Sequence, residues 1–383
     1  MLMPGSILNR RLFLLGCTAL AGCQTLPPSS AGQVRREEWG RMPDGDPVYR
    51  FTLTNRRGSS AAVMTYGAAV TSLHMPDRAG RHGEVVLGLD DFEAYRTRSR
   101  NFGTLVGRYA GRIANGRFPL DGRMVQLETG SSRHSSHGGP VGFAKRNWQG
   151  EAADNKAGPA VRFSLISADG DQGFPGTLSI QVTYCLTDDD RLALTIEATT
   201  SAPTVLNPTH HGYFNLGYDH SRPVHDHLLR VEADGFTAFG PDKLVTGEIR
   251  PVAGTALDFR VPKPIGRDIG SSEEQMRIGN GYDHCFVIRG RSGDLRQAAR
   301  VLEPQSGRVL ELWTTEPGVQ FFTANSVDMP GRNGVPYRPH CGFCLEPQHF
   351  QDSPNRPEFP STLLRPGQTF RSHSEYRFST YAV

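Results

Sequence analysis

Between Leu178 and Thr199 the chain alternates with a period of two. Leu178, Ile180, Val182, Tyr184 and Leu186 are interleaved with Ser179, Gln181, Thr183 and Cys185. After Asp188-Asp189-Asp190, the residues Leu192, Leu194, Ile196 and Ala198 alternate with Ala193, Thr195, Glu197 and Thr199. Side chains of a strand point to opposite faces in turn, so this is a hairpin with one apolar and one polar face. A sheet of that kind must cover its apolar face with another layer. Pro47 to Asn55, Ala61 to Gly67, Val309 to Thr314, Val319 to Thr323 and Phe370 to Phe378 are further short runs of strand character. No long amphipathic helix is legible; Asp90 to Tyr95 has room for about one turn. With 43 Gly and 27 Pro as punctuation, the pattern predicts an all-β chain, built as a large antiparallel β-sandwich.

The first 22 residues read as a targeting segment. Arg10 and Arg11 precede a short apolar run, Leu12 to Ala21, and Leu20-Ala21-Gly22-Cys23 has the form of a bacterial lipobox. Residues 1–22 are therefore expected to be a lipoprotein signal peptide, with Cys23 lipidated and 23–34 a flexible tether. Asn9 to Leu14 also resembles a twin-arginine export signal. A plain cleaved secretory signal is the competing reading. The expectation is an exported protein, held on the periplasmic side of a bacterial membrane, with Gln24 favouring the outer one. Residues 35–383 show no second linker and are expected to form one domain. Removing 1–22 takes away two arginines and no acid, so the formal charge of +3 falls to +1. Neither this balance nor any basic stripe fits nucleic-acid binding. Cys341 and Cys344 form a lone C-x-x-C, which without a second pair is a poor zinc site.

Five stretches break the alternation. Asn207 to Leu216, NPTHHGYFNL, places two histidines, two asparagines and two aromatics in ten residues. If extended, it puts Asn207, Thr209, His211 and Tyr213 on one face and Pro208, His210, Gly212 and Phe214 on the other. The bland alternative is a hydrogen-bonded histidine pair in an ordinary strand. Gly107 to Gly116, GRYAGRIANG, carries Arg108 and Arg112 among small residues, either as donor forks or as solvated loop arginines. His134 to Gly139, HSSHGG, makes His137 a polar ligand rather than half of a metal site. Gly281 to Val287, GYDHCFV, sets Asp283 at a strand start, where it either caps a turn or binds a ligand. Gly342 to Phe350, GFCLEPQHF, puts Cys344, Glu346 and Gln348 on one face of a strand. A carboxylate among such apolar neighbours must be paired or functional, which makes Glu346 the best candidate base.

Together with TTEPGVQFFTAN and DSPNRPEFPSTLLRPGQ, these stretches resemble the aldose 1-epimerase (galactose mutarotase) family, from Asn101 to Gln368 and in the same order. The resemblance implies a β-supersandwich and cofactor-free interconversion of the α and β anomers of free aldoses such as galactose and glucose. By motif it makes Glu346 the general base and His211 the general acid, with Arg112, His137, Asp283 and Gln320 binding the sugar. No metal is implied. Two positions depart from the family. Gly111 stands where Asn is usual, and Pro208-Thr209-His210 where Leu-Thr-Asn is usual; both bear on polar groups near the sugar. An aromatic, Tyr213 or Phe321, is expected under the sugar ring. With ordinary side-chain values of about 4.3 for Glu and about 6.5 for His, a bell-shaped rate profile is expected. Glu346 would set its acid limb and His211 its alkaline limb, with His211 raised by a nearby carboxylate. The competing readings are a non-catalytic sugar-binding protein, a sugar-phosphate epimerase needing an extra basic cluster, and a metallohydrolase using His134, His137, His210 and His211.

Overall fold

The alternating pair folds as read. Strands Leu178–Leu186 and Arg191–Thr200 run antiparallel, in register from Leu178 opposite Thr200 to Leu186 opposite Leu192. Tyr184 and Leu192 face the core while Ser179, Gln181 and Thr199 face outward. The turn between the strands also ties two sheets together: Asp190 is buried and accepts hydrogen bonds from Asn55 Nδ2 (2.8 Å) and Ser59 Oγ (2.7 Å).

The computed structural model describes residues 32–381. The signal segment, Cys23 and residues 24–31 of the expected tether lie outside them. Gln33 and Val34, assigned to the tether from sequence, instead begin the strand Gln33–Arg41 and pair with Thr54 and Leu53. Among the described residues, three sheets carry most of the chain. A five-stranded meander runs from Gln33 to Glu84. A nine-stranded sheet holds the long hairpin, flanked by Ala160–Ser167 and Phe370–Thr380. A six-stranded sheet has the order Tyr213–Phe214, Phe343–Gln348, Gly318–Phe322, Asp283–Ile288, Ala233–Phe239, Val245–Pro251. Every neighbouring pair in these sheets is antiparallel.

One apolar cluster draws on all three sheets, through Val63 and Leu73, through Val182 and Leu310, and through Phe321 and Leu345. Tyr376 crosses it: its ring belongs to the nine-stranded sheet and its hydroxyl donates to the carbonyl of Leu345 in the six-stranded one (3.0 Å). A buried hydroxyl that finds a partner this way holds the layers in register. The short helix near Asp90 is Phe92–Arg98, capped by Asp91 Oδ1 on Ala94 N–H (2.8 Å). The six-stranded sheet presents Glu346 and its neighbours to loops from residues 107–116, 134–139 and 324–327, and the cavity lies between.

Candidate active site

Sheet register brings the acidic side chains together. Gln320 lies directly opposite Glu346. Asp283 lies opposite Phe322 on the next strand, and Gln320 Nε2 donates to Asp283 Oδ1 (2.8 Å). Alternation decides the aromatic. Gln320 and Phe322 share the cavity face, so Phe321 points the other way, into the core beside Phe259 and Tyr282. Tyr213 and Phe322 are the cavity aromatics, and the expectation for Phe321 is corrected.

The Asn207–Leu216 stretch keeps its two faces but not one strand. Thr209–His211 pairs with Thr104–Val106, and Tyr213–Phe214 pairs with Phe343 and Cys344. Gly212 makes the break. A Cβ there would sit 2.6 Å from His210 Cε1. His211 and Tyr213 line the cavity and stack at 5.0 Å. His210 turns into the core against Tyr184 and Tyr376, with Nδ1 3.2 Å from the Tyr376 hydroxyl. Burial lowers its pKa to about 3, so it is a neutral core residue. His210 therefore does not line the cavity, which corrects the expectation that the change there bears on polar groups near the ligand. Asn207 is structural as well: its carboxamide bonds to the carbonyls of Ala110 and His349 and to the amide of His349.

The loop arginines separate. Arg108 is neither a ligand nor solvated. It is buried, and its guanidinium donates to Ser167 Oγ and to the carbonyls of Ser167, Ala168 and Pro175. Burial brings its pKa down to about 10. Arg112, on the two-residue strand paired with Ser135–Ser136, reaches the cavity. Its charge acts on both Asp283 and His137. His137 sits at φ 50°, with Gly138 (φ 85°) and Gly139 (φ 95°) behind it. Its Nδ1 accepts from the Gly111 amide (3.4 Å), which leaves Nε2–H as the ring's donor. Burial and the Arg112 charge lower its pKa to about 4. His134 stays outside, bonded to the Asn115 amide and 3.8 Å from Asp242. The four histidines of the metallohydrolase reading thus do not converge.

The cavity measures about 290 Å³ and gathers Arg112, His137, His211, Asp283, Gln320 and Glu346. That is near the lower end for small-molecule clefts, which start at about 300 Å³. A larger hollow of about 690 Å³ contains Asp258 and Asp268. Those two carboxylates are paired with Arg260 and Lys263, and the third in its lining, Glu273, accepts from the Ala256 amide. In the smaller cavity His211 Nε2 lies 3.7 Å from Glu346 Oε1, and both side chains are buried. Burial, then the Asp283 charge, pushes Glu346 well above the usual carboxylate range. Burial, then His137, pushes His211 well below 6.5. The sequence expectation of a raised His211 is therefore reversed: desolvation disfavours both charged forms.

The sequence reading left several cavity residues unassigned, among them Gln348, Asn325, Lys243 and Gln351. Gln348 shares the face of Glu346 by alternation, and Asn325 closes the TTEPGVQFFTAN motif; both had a signal. Lys243, in a turn at φ 59°, and Gln351, beyond the strand end, had none. Among the described residues, the one grouping spaced to hold a metal is His211, Cys344 and Glu346, with ligand atoms within 4.8 Å of one another. Cys185, Cys285, Cys341 and Cys344 are all free thiols.

A profile of the family described as aldose 1-epimerase matches residues 49–377. The chain is 39% identical to a galactose mutarotase from Homo sapiens over 349 residues, covering 90% of this chain and 98% of that protein. It is 38% identical to an aldose 1-epimerase from Escherichia coli K12 over 339 residues, with 88% and 96% covered. Among solved structures, a galactose 1-epimerase from Lactobacillus acidophilus superposes with a TM-score of 0.81 at 25% identity, covering 92% of this chain and all of that one. The chain belongs to the aldose 1-epimerase family and is an isomerase.

Proposed function

We propose that this chain opens and recloses the ring of free aldoses such as galactose and glucose, with Glu346 and His211 exchanging protons with the sugar. The observation that carries the reading is the facing pair: a carboxyl and an imidazole 3.7 Å apart in a buried cavity lined with hydrogen-bonding side chains. Glu346 as carboxylate removes the proton of the anomeric hydroxyl while His211 as imidazolium protonates the ring oxygen. The C1–O5 bond breaks and an aldehyde forms. Rotation about C1–C2 and reclosure, with the two roles reversed, gives the other anomer.

The pair needs one proton between its two members. Burial favours the neutral forms of both groups and so places that proton on Glu346 before the sugar binds. Moving it to His211 creates the acid and base the reaction requires. Sugar oxygens stabilise that state by donating to the carboxylate and accepting from the imidazolium. Arg112, the Nε2–H of His137 and the Asp283–Gln320 pair orient the remaining hydroxyls. Glu346→Gln and His211→Asn are expected to lose about 10²- to 10⁴-fold in kcat while still binding sugar in calorimetry. Loss of binding with kcat intact would overturn these roles.

For the N-terminus, the charge, apolar run and Leu20-Ala21-Gly22-Cys23 order support lipidation at Cys23 and attachment to the periplasmic side of a bacterial membrane.

A further inference from the structure

Gly111 lines the cavity directly before Arg112, and its backbone is left-handed, at φ 74°. The space a side chain would enter is already filled. A Cβ at Gly111 would lie 2.4 Å from Cγ and 2.7 Å from Cδ of Gln351. Gln351 comes from the segment after the Glu346 strand, is 4% exposed and lines the cavity.

Its orientation is set by its partners. The Arg112 backbone N–H can only donate, so the atom facing it at 3.2 Å is Gln351 Oε1. Gln351 Nε2 then donates to Gln320 Oε1 (3.2 Å). That turns Gln320 so that its Nε2 donates to Asp283 Oδ1 (2.8 Å). One backbone amide thus fixes the sense of both carboxamides and leaves Asp283 as an acceptor held from one side. We infer that Gln351 is a positioning residue for the sugar. It fills the space beside Gly111 and aligns Gln320 and Asp283 for the substrate hydroxyls. This rests on the reading of the cavity as the aldose site.

The test is a four-protein cycle read by polarimetry as kcat and KM for α-D-galactose: wild type, Gln351→Ala, Gly111→Asn, and the double variant. Gln351→Ala is expected to raise KM about tenfold, with kcat within about threefold of wild type, since ground-state alignment is lost. Gly111→Asn alone displaces Gln351 and should do the same. In the double variant the Asn carboxamide has the vacated space, and KM should return to within about threefold of wild type. An unchanged KM in Gln351→Ala, or a double variant no better than its worse parent, would overturn the inference.

Gln351→Glu guards against misfolding. Its carboxylate still accepts from Arg112 N–H but cannot donate to Gln320 until protonated. Its KM relative to wild type should therefore fall as the pH is lowered; a ratio constant with pH would count against the relay. A wild type that matches buffer alone overturns the site reading and this inference together. A fast wild type with an additive cycle overturns this inference only.

Discussion

At the residue scale, burial disfavours the charged forms of both Glu346 and His211. Glu346 has a folded pKa raised above its unfolded value of about 4.3. The folded state therefore holds a proton that the unfolded state releases, and stability falls as pH rises from about 4.3 through the folded pKa. Glu346→Gln removes that cost and is expected to raise the unfolding free energy, measured by denaturant unfolding above neutral pH, by about 1 kcal/mol or more, and by much less at about pH 4. A variant less stable than wild type at high pH would contradict this. His211 has the opposite sign. Its folded pKa is depressed, so the stability of its neutral form is present above about 6.5 and is lost as pH falls through the folded value. Nitrogen NMR of labelled histidine should find His211 neutral in the empty protein at about pH 6, where a free imidazole is largely charged. An imidazolium signal for His211 at that pH would refute control by desolvation. The limbs of the rate profile then exchange owners: acid loss follows protonation of His211, and alkaline loss follows deprotonation of Glu346. Both values belong to the interacting pair.

At the element scale, two-residue strands and left-handed turns aim the site from loops. Gly138 is the tightest case. At φ 85°, a Cβ there would lie 1.8 Å from the Gly107 carbonyl oxygen, a backbone atom that cannot swing away. Gly138→Ala is expected to cost about 2–4 kcal/mol in denaturant unfolding and to misplace His137; a cost below about 0.5 kcal/mol would show the loop to be soft. Elements of this kind also mark how far the sequence could be read. The hairpin at Leu178–Thr200 was legible because period-two burial is a local signal. So was the split of His211 and Tyr213 from His210 and Phe214, since neighbours on an extended chain must diverge. The breaks around Gly212, the burial of Arg108 and the role of Gln351 were not legible, because each depends on distant partners. Gln351 meets Arg112 across 239 residues. The pKa directions were hidden for the same reason, since desolvation is a property of the assembled cavity.

At the scale of the whole molecule, a single large core holds three sheets in register, and the cavity is built where the six-stranded sheet meets the loops. Among the described residues the first strand starts at Gln33, ten positions beyond Cys23, so a lipid there would be attached outside the sandwich. Cys23→Ser is expected to move the protein from the membrane fraction to the soluble one with kcat unchanged; unaltered fractionation would refute the anchor. In the proposed function, this sandwich exchanges anomers through Glu346. Polarimetry of freshly dissolved α-D-galactose and α-D-glucose tests it directly, using wild type and Glu346→Gln at equal concentration. Fast decay to the equilibrium rotation is predicted with wild type, and decay near the buffer rate with the variant. A wild type no faster than buffer on either sugar, or a variant as fast as wild type, would contradict it.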